Sequence, residues 1–495
     1  MTRVLPLAVV AVFAACAAEP GQQSVGLQDP GVNDRIDPAL RTAASADARV
    51  PVLILGREQL LPGGNAYADF VTRHSSADRL NLRASVVSDL KEISRRHATP
   101  LAAALPGAAR ATRLWIVNGI MALLTREEIE RTAADPAVAY LYLLDRVPGS
   151  PQNASATLVA PAAAAFDTAG KRIAWNITRI GAPAAWSQGH IGSGVVVAMI
   201  DGDVAISHRD LSNNIWVNDD EIANNGVDDD HNGYVDDRHG FDFSAMSPDN
   251  GQAGVHGTYV AGIIAGDGSG GIITGAAPRA RLMPLVGISF GESALAMQYA
   301  LDNGADIVNM SFSIPNLGAL RSAWRMAADH AVAAGLVLVS GAGNFQQTAP
   351  IPVQLRIPED IPSVIAVGGI DENERVTGFS SLGPVEWGSV PFYRDHPLPA
   401  GLVKPDVVAF PGAGYPLLSA NGGYIDPNFS IRGNSFSSPQ AAGAAALLLS
   451  ARPGTPAWKI SEILQSSARD LEPAGKDNRT GRGVIDITAA LRQLN

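Results

Sequence analysis

Between residues 195 and 340 the chain alternates short apolar runs with longer amphipathic ones. The runs 195–200, 281–286, 307–311 and 336–340 have the length and branched side chains of buried strands, whereas 258–265, 294–303 and 319–334 carry helical spacing. Strands that are apolar throughout are covered on both faces. Strands separated by helices run parallel. The pattern therefore predicts an α/β fold, a mainly parallel sheet flanked by helices. A smaller unit of alternating elements precedes it: a strand-like run at 49–56, a helical stretch at 77–97, and further apolar runs at 115–124 and 137–144. Thr125, followed by Glu127 and Glu128, is suited to start a helix between the last two. This reads as a small α+β domain over 47–147.

In open α/β sheets, functional groups gather where strands end and helices begin. Three segments place reactive side chains there. Val196-Val197-Ala198-Met199-Ile200-Asp201 ends a strand in a carboxylate. His256-Gly257-Thr258-Tyr259-Val260-Ala261-Gly262 opens a helix with an imidazole. Gly433-Asn434-Ser435 precedes the apolar stretch 441–449. A Ser hydroxyl that attacks an acyl group needs a base for its proton, and that base needs a carboxylate to hold its tautomer and stabilise the imidazolium. Asp201, His256 and Ser435 supply those groups in that chain order. Asn344, on the turn Ser340-Gly341-Ala342-Gly343-Asn344, offers an amide donor for the oxyanion of a tetrahedral intermediate.

With these flanks the chain resembles the subtilisin-like serine peptidases, the subtilase family, over about 175–495. Ile180-Gly181-Ala182-Pro183, the run 379–384 and Lys404-Pro405-Asp406 add to the likeness. The resemblance implies a catalytic set of Asp201, His256 and Ser435, with Asn344 in the oxyanion hole. It also implies a serine-type endopeptidase working through an acyl-enzyme. Two departures stand out: Asp201-Gly202-Asp203 lacks the hydroxyl residue that usually follows the Asp, and Asn434 replaces the Thr that usually precedes the nucleophile. They keep open a second reading, a catalytically inactive relative that binds peptides at the cell surface. An α/β-hydrolase is disfavoured, because there the Ser comes first in the chain and within Gly-x-Ser-x-Gly.

The resemblance extends to the unit at 47–147, which is similar to an inhibitory propeptide that acts as an intramolecular partner until removed. Processing is then expected in the Ala/Pro/Ser/Thr-rich linker 148–172, leaving 173–495 as the peptidase domain. It also implies that Ser311, Phe312 and Ser313 border the substrate cleft, and that Gly341, Ala342 and Gly343 wall the pocket for the residue before the scissile bond. Because 339–343 carries no acidic side chain, an apolar preference is expected there.

An acidic insertion at 218–242 contains Asp228, Asp230, Asn232 and Asp236, oxygen donors at alternate positions around Gly233. A hard cation such as Ca²⁺ requires such a donor set, although His239 stands where an EF-hand has Glu. No catalytic cofactor is expected. The N-terminus has the layout of an export signal over 1–18: a basic start at Arg3, an apolar stretch, then small residues. Phe13-Ala14-Ala15-Cys16 resembles a lipobox, which offers a lipid anchor at Cys16 as an alternative to simple secretion; a polar linker fills 19–46. That is the only Cys, so disulfides within the chain and Cys-rich zinc sites are excluded. Forty-eight acidic against 37 basic residues give a formal net charge of −11, which argues against a nucleic-acid partner. Beyond the first twenty residues no apolar run is long enough to span a bilayer.

Overall fold

The computed structural model describes residues 25–26, 34–45, 48–105, 111–148, 167–248, 254–412, 414–428 and 431–494. The expected export signal, Cys16, and most of the segments 19–46 and 148–172 expected to be linkers lie outside the described residues.

The N-terminal unit comprises β1 (Val50–Gly56), α1 (Arg79–Ala104), β2 (Thr112–Leu114), β3 (Gly119–Leu124), α2 (Arg126–Ala133) and β4 (Val138–Leu143). Its four strands form an antiparallel sheet in the order β2-β3-β1-β4. The stretch 115–124 is not one strand. A 3₁₀ turn at Trp115–Val117 and Asn118, held at φ 44°, precede β3, because a left-handed residue breaks the extended path. Thr125 starts α2 with a capping box: its Oγ accepts from the Glu128 N–H, while the Glu128 carboxylate accepts from the Thr125 N–H at 2.9 Å.

The larger unit contains β5 (Val196–Asp201), β6 (Phe241–Asp242), α3 (Val255–Ala265), β7 (Arg281–Val286), α4 (Phe290–Asp302), β8 (Ile307–Met310), α5 (Arg321–Ala333), β9 (Val337–Gly341), β10 (Ile365–Gly369), β11 (Val407–Ala409) and α6 (Ser438–Ala451). Its sheet runs β11-β10-β9-β8-β5-β7-β6 with all neighbours parallel. The predicted α/β class is borne out. α6 is apolar on every side and almost wholly buried, as a helix crossing the centre of a domain must be.

Strand alternation explains how the two units meet. On β1, Leu53 and Leu55 join the large core shared with the helices of the larger unit, while Val52 and Ile54 point to a separate core with Leu40, Ile120 and Ile129. Successive side chains leave opposite faces of a strand, so one sheet serves both cores. The shared face is closed by polar contacts. Arg79 pairs with Asp306 at 2.7 Å, both nearly buried. Tyr142 and Ser322 share a hydrogen bond of 2.8 Å, and the Ile116 N–H donates to Gln298 Oε1 at 3.1 Å.

Candidate active site

Asp201 is the last residue of β5 and is buried at 4% exposure, between strands β7 and β8. His256 lies in the first turn of α3, and its Nδ1 is 2.7 Å from Asp201 Oδ1. A carboxylate only accepts, so Nδ1 carries the proton and Nε2 is left as the base. Burial lowers the His256 pKa, but the hydrogen bond and the charge of Asp201 together outweigh it, and the imidazole is held above its ordinary value. The close approach of α3 to the loop after β5 requires glycine. A Cβ on Gly257 would stand 2.4 Å from the Asp203 carbonyl oxygen and 2.5 Å from that of Gly202. This is the local reason for His-Gly in the motif.

The Asp201 carboxylate is only half engaged. Oδ1 accepts from His256 and from the Gly202 N–H at 2.7 Å, whereas the buried Oδ2 has no partner among the described residues. Gly202, with no hydroxyl to give, stands next to it.

Ser435 sits in a 3₁₀ turn, Asn434–Phe436, just ahead of α6, with Pro439 in the helix's first turn. The ring of Phe436 is 5.8 Å from that of His256, so the turn and the imidazole share one cleft wall. The Ser435 hydroxyl donates to the Ser311 carbonyl at 3.2 Å, and Ser311 Oγ returns a bond to the Ser435 carbonyl at 3.0 Å. β9 abuts the same turn. A Cβ on Gly341 would lie 2.5 Å from the Asn434 carbonyl oxygen and 3.1 Å from the Ser435 nitrogen. Asn344 Oδ1 accepts from the Asn434 N–H at 2.8 Å, which fixes the carbonyl end of that amide and leaves its NH₂ as donor. Asn434 is itself a tie: fully buried, its Nδ2 donates to the Gly343 carbonyl at 2.7 Å and to Ser380 Oγ at 3.0 Å. The side chain that departs from the usual Thr thus clamps the nucleophile turn to the Asn344 turn.

The subtilase family model matches residues 192–483, well over half of the chain. The chain belongs to the subtilase family of subtilisin-like serine peptidases. It is similar to subtilisin DY of Bacillus licheniformis, 29% identical over 326 residues, covering 64% of this chain and 98% of that protein. Subtilisin E of Bacillus subtilis strain 168 is 29% identical over 381 residues, 76% of this chain and 81% of the relative. Fervidolysin of Fervidobacterium pennivorans is also 29% identical, over 338 residues and 64% of this chain, but the match spans only 43% of that longer protein.

Within this subtilase fold the two segments expected at the cleft flank Ser435, one at Ser311–Ser313 and one at Gly341–Gly343. Behind them stands a residue that the pattern of those segments did not reveal. Glu359, between β9 and β10, is fully buried; its Oε1 accepts from Ser313 Oγ at 2.7 Å and from the Arg356 N–H at 3.1 Å. Nothing within 339–343 signals it, because the chain returns to Ser313 and Gly343 only after a loop.

In the acidic insertion, one oxygen each from Glu221, Asp228 and Asp230 lie within 4.8 Å of one another. Glu221 comes from outside the alternating run and is buried at 1%. Asp236 is not in this group; its carboxylate oxygens accept the N–H of Asn225 and Gly226 at 2.9 and 3.1 Å. Asn232 Oδ1 accepts from the Tyr234 N–H, and its Nδ2 donates to Asp230 and Asp237. The all-oxygen donor set fits a hard cation. No helix among the described residues is long and apolar enough to cross a membrane.

Proposed function

We propose that this subtilase is an exported, self-processing endopeptidase in which Ser435 is the nucleophile, His256 the base, Asp201 its orienting carboxylate and Asn344 a donor to the oxyanion. The observation that carries the reading is the 2.7 Å contact between His256 Nδ1 and Asp201 Oδ1, beside a Ser435 turn tied to the Asn344 turn. In the resting arrangement the Ser435 hydroxyl faces the Ser311 carbonyl, so attack begins with its rotation toward His256 Nε2. Nε2 then takes the hydroxyl proton as Oγ adds to the peptide carbonyl, and the imidazolium is stabilised by Asp201. Asn344 Nδ2 donates to the carbonyl oxygen as its negative charge develops. His256 returns the proton to the departing amine, and water releases the acyl group by the same steps in reverse.

The unit at 47–147 acts as the inhibitor in this reading, and the apolar core it shares with the larger unit, together with the ion pairs Arg79–Asp306 just ahead of β8 and Lys91–Asp302 at the end of α4, supports a tight intramolecular complex. Glu221, Asp228 and Asp230 would hold a Ca²⁺ ion that stiffens the insertion between Asp201 and His256 and takes no part in the chemistry. Export, with or without lipid at Cys16, rests on the N-terminal sequence alone.

The test is the mass of the full-length protein beside its Ser435→Ala variant after incubation in calcium. The wild type is expected to lose the segment up to the 148–172 linker while the variant stays whole. If both stay intact and neither reacts with a fluorophosphonate, the peptide-binding alternative replaces this reading.

A further inference from the structure

We infer that Glu359 is a specificity-determining residue that receives a Lys or Arg side chain from the substrate residue preceding the scissile bond. The inference rests on the endopeptidase reading above and names its substrate class.

Position is the first argument. Ser313 and Gly343 end the two segments that flank the nucleophile, since Ser435 Oγ donates to Ser311 and Gly341 backs onto the Asn434–Ser435 peptide. Glu359 Oε1 joins their far ends. It accepts from Ser313 Oγ, and a Cβ on Gly343 would lie 2.9 Å from it. The same Cβ would meet Ser381 Oγ at 2.9 Å and Phe345 at 3.0 Å, at a φ of +79° that side chains rarely adopt. Glycine at 343 therefore leaves the carboxylate uncovered by any side chain at that point. An acid therefore stands directly behind the small residues of 339–343, and in this reading the apolar preference expected from that stretch gives way to a basic one.

Charge is the second argument. Glu359 Oε2 is buried and has no partner among the described residues, and no ion pair to Glu359 is present among them. The neighbouring Asp360 adds negative charge, and it is Asp360 that Arg321 neutralises, at 2.8 Å. The Arg356 guanidinium lies instead over the Phe345 ring at 3.4 Å from its centroid. Burial, with Asp360 as a lesser contributor, holds the Glu359 carboxyl well above the usual carboxylate range against the pull of the Ser313 hydroxyl. A buried acid with one satisfied oxygen and no counter-ion is costly as a carboxylate on its own. An ammonium or guanidinium entering between Ser313 and Gly343 supplies the missing partner.

The experiment compares full-length wild type with Glu359→Gln, which keeps an acceptor for Ser313 but removes the charge. Fluorogenic peptides differ only at the residue before the cleaved bond: Lys, Arg, Leu, Phe or Glu. The wild type is expected to favour Lys and Arg over Leu by about 100-fold in kcat/KM, and the variant to lose about that factor on basic peptides while staying within about threefold on Leu. The Lys-to-Leu ratio of the wild type should also climb with pH as Glu359 ionises, and that of the variant should stay flat. A wild type that prefers Leu or Phe, one that prefers Glu, or a parallel fall on all five peptides would overturn the inference. Fluorophosphonate labelling of Ser435 separates the two failures. A labelled enzyme without basic preference sinks only the role of Glu359, whereas an unlabelled one sinks the endopeptidase reading and this inference together.

Discussion

His330 joins the two units through both ring nitrogens, and its protonation should loosen them. It lies on α5, fully buried, with Nδ1 donating to the Ile116 carbonyl at 2.6 Å and Nε2 accepting from the Leu61 N–H at 3.0 Å. Both partners belong to the N-terminal unit. Burial depresses its pKa from 6.5 to about 4, the bond to Ile116 opposing only in part. The imidazole is therefore neutral when folded and takes a proton below pH 6.5 only when released. The stability it contributes is fully present above 6.5 and drains away as pH falls toward about 4. At about 1.4 kcal/mol per pH unit, that window is worth about 3 kcal/mol. Gln can donate to Ile116 and accept from Leu61 but cannot be protonated, so His330→Gln isolates the effect. Urea unfolding in a Ser435→Ala background, which keeps the chain whole, should show the two proteins within about 1 kcal/mol at pH 7. By pH 4 the parent should have lost about 3 kcal/mol more than the variant. The adjacent Asp329, raised to about 6 chiefly by burial, has the opposite slope but is common to both proteins and cancels. Parallel pH profiles would refute the argument.

Three further outcomes are expected. Asn344→Asp keeps the acceptor for the Asn434 N–H but loses the amide donor, so kcat on a peptide substrate should fall by about 100-fold or more with little change in melting temperature. Gly202→Ser has open space at its Cβ and adds a hydroxyl beside the unpartnered Asp201 Oδ2, so calorimetry should register a gain of about 1 kcal/mol; an unchanged or lower melting temperature would count against it. Chelation by EDTA should lower the melting temperature at pH 7 and have less effect at acid pH, where Glu221, raised by burial, takes up a proton. Glu221→Gln should abolish most of the chelator's effect.

Much of the architecture could be read from local patterns, because each parallel strand and helix reports its own burial along a few residues. The junctions that hold Asp201, His256 and Ser435 were visible for the same reason, each motif carrying its flanking strand or helix with it. The 115–124 stretch shows where that reading fails: its apolar run continues through Asn118, but a single left-handed residue divides turn from strand.

What only the tertiary structure decided is which distant side chains meet. Glu359 reaches Ser313 across a loop and a sheet crossover, Glu221 turns into the acidic cluster from outside its alternating run, and His330 finds both its partners in another unit. Asn434, a departure by its identity, becomes a clamp only when β9 brings Gly343 against it. Periodicity records whether a residue is buried, not against what; the partner is set by how strands stack in the sheet and how one unit docks on the next. The nucleophile motif is therefore written in short segments, while the partners of the buried Glu359 acid and of the His330 imidazole that joins the two units are set only once the chain has folded.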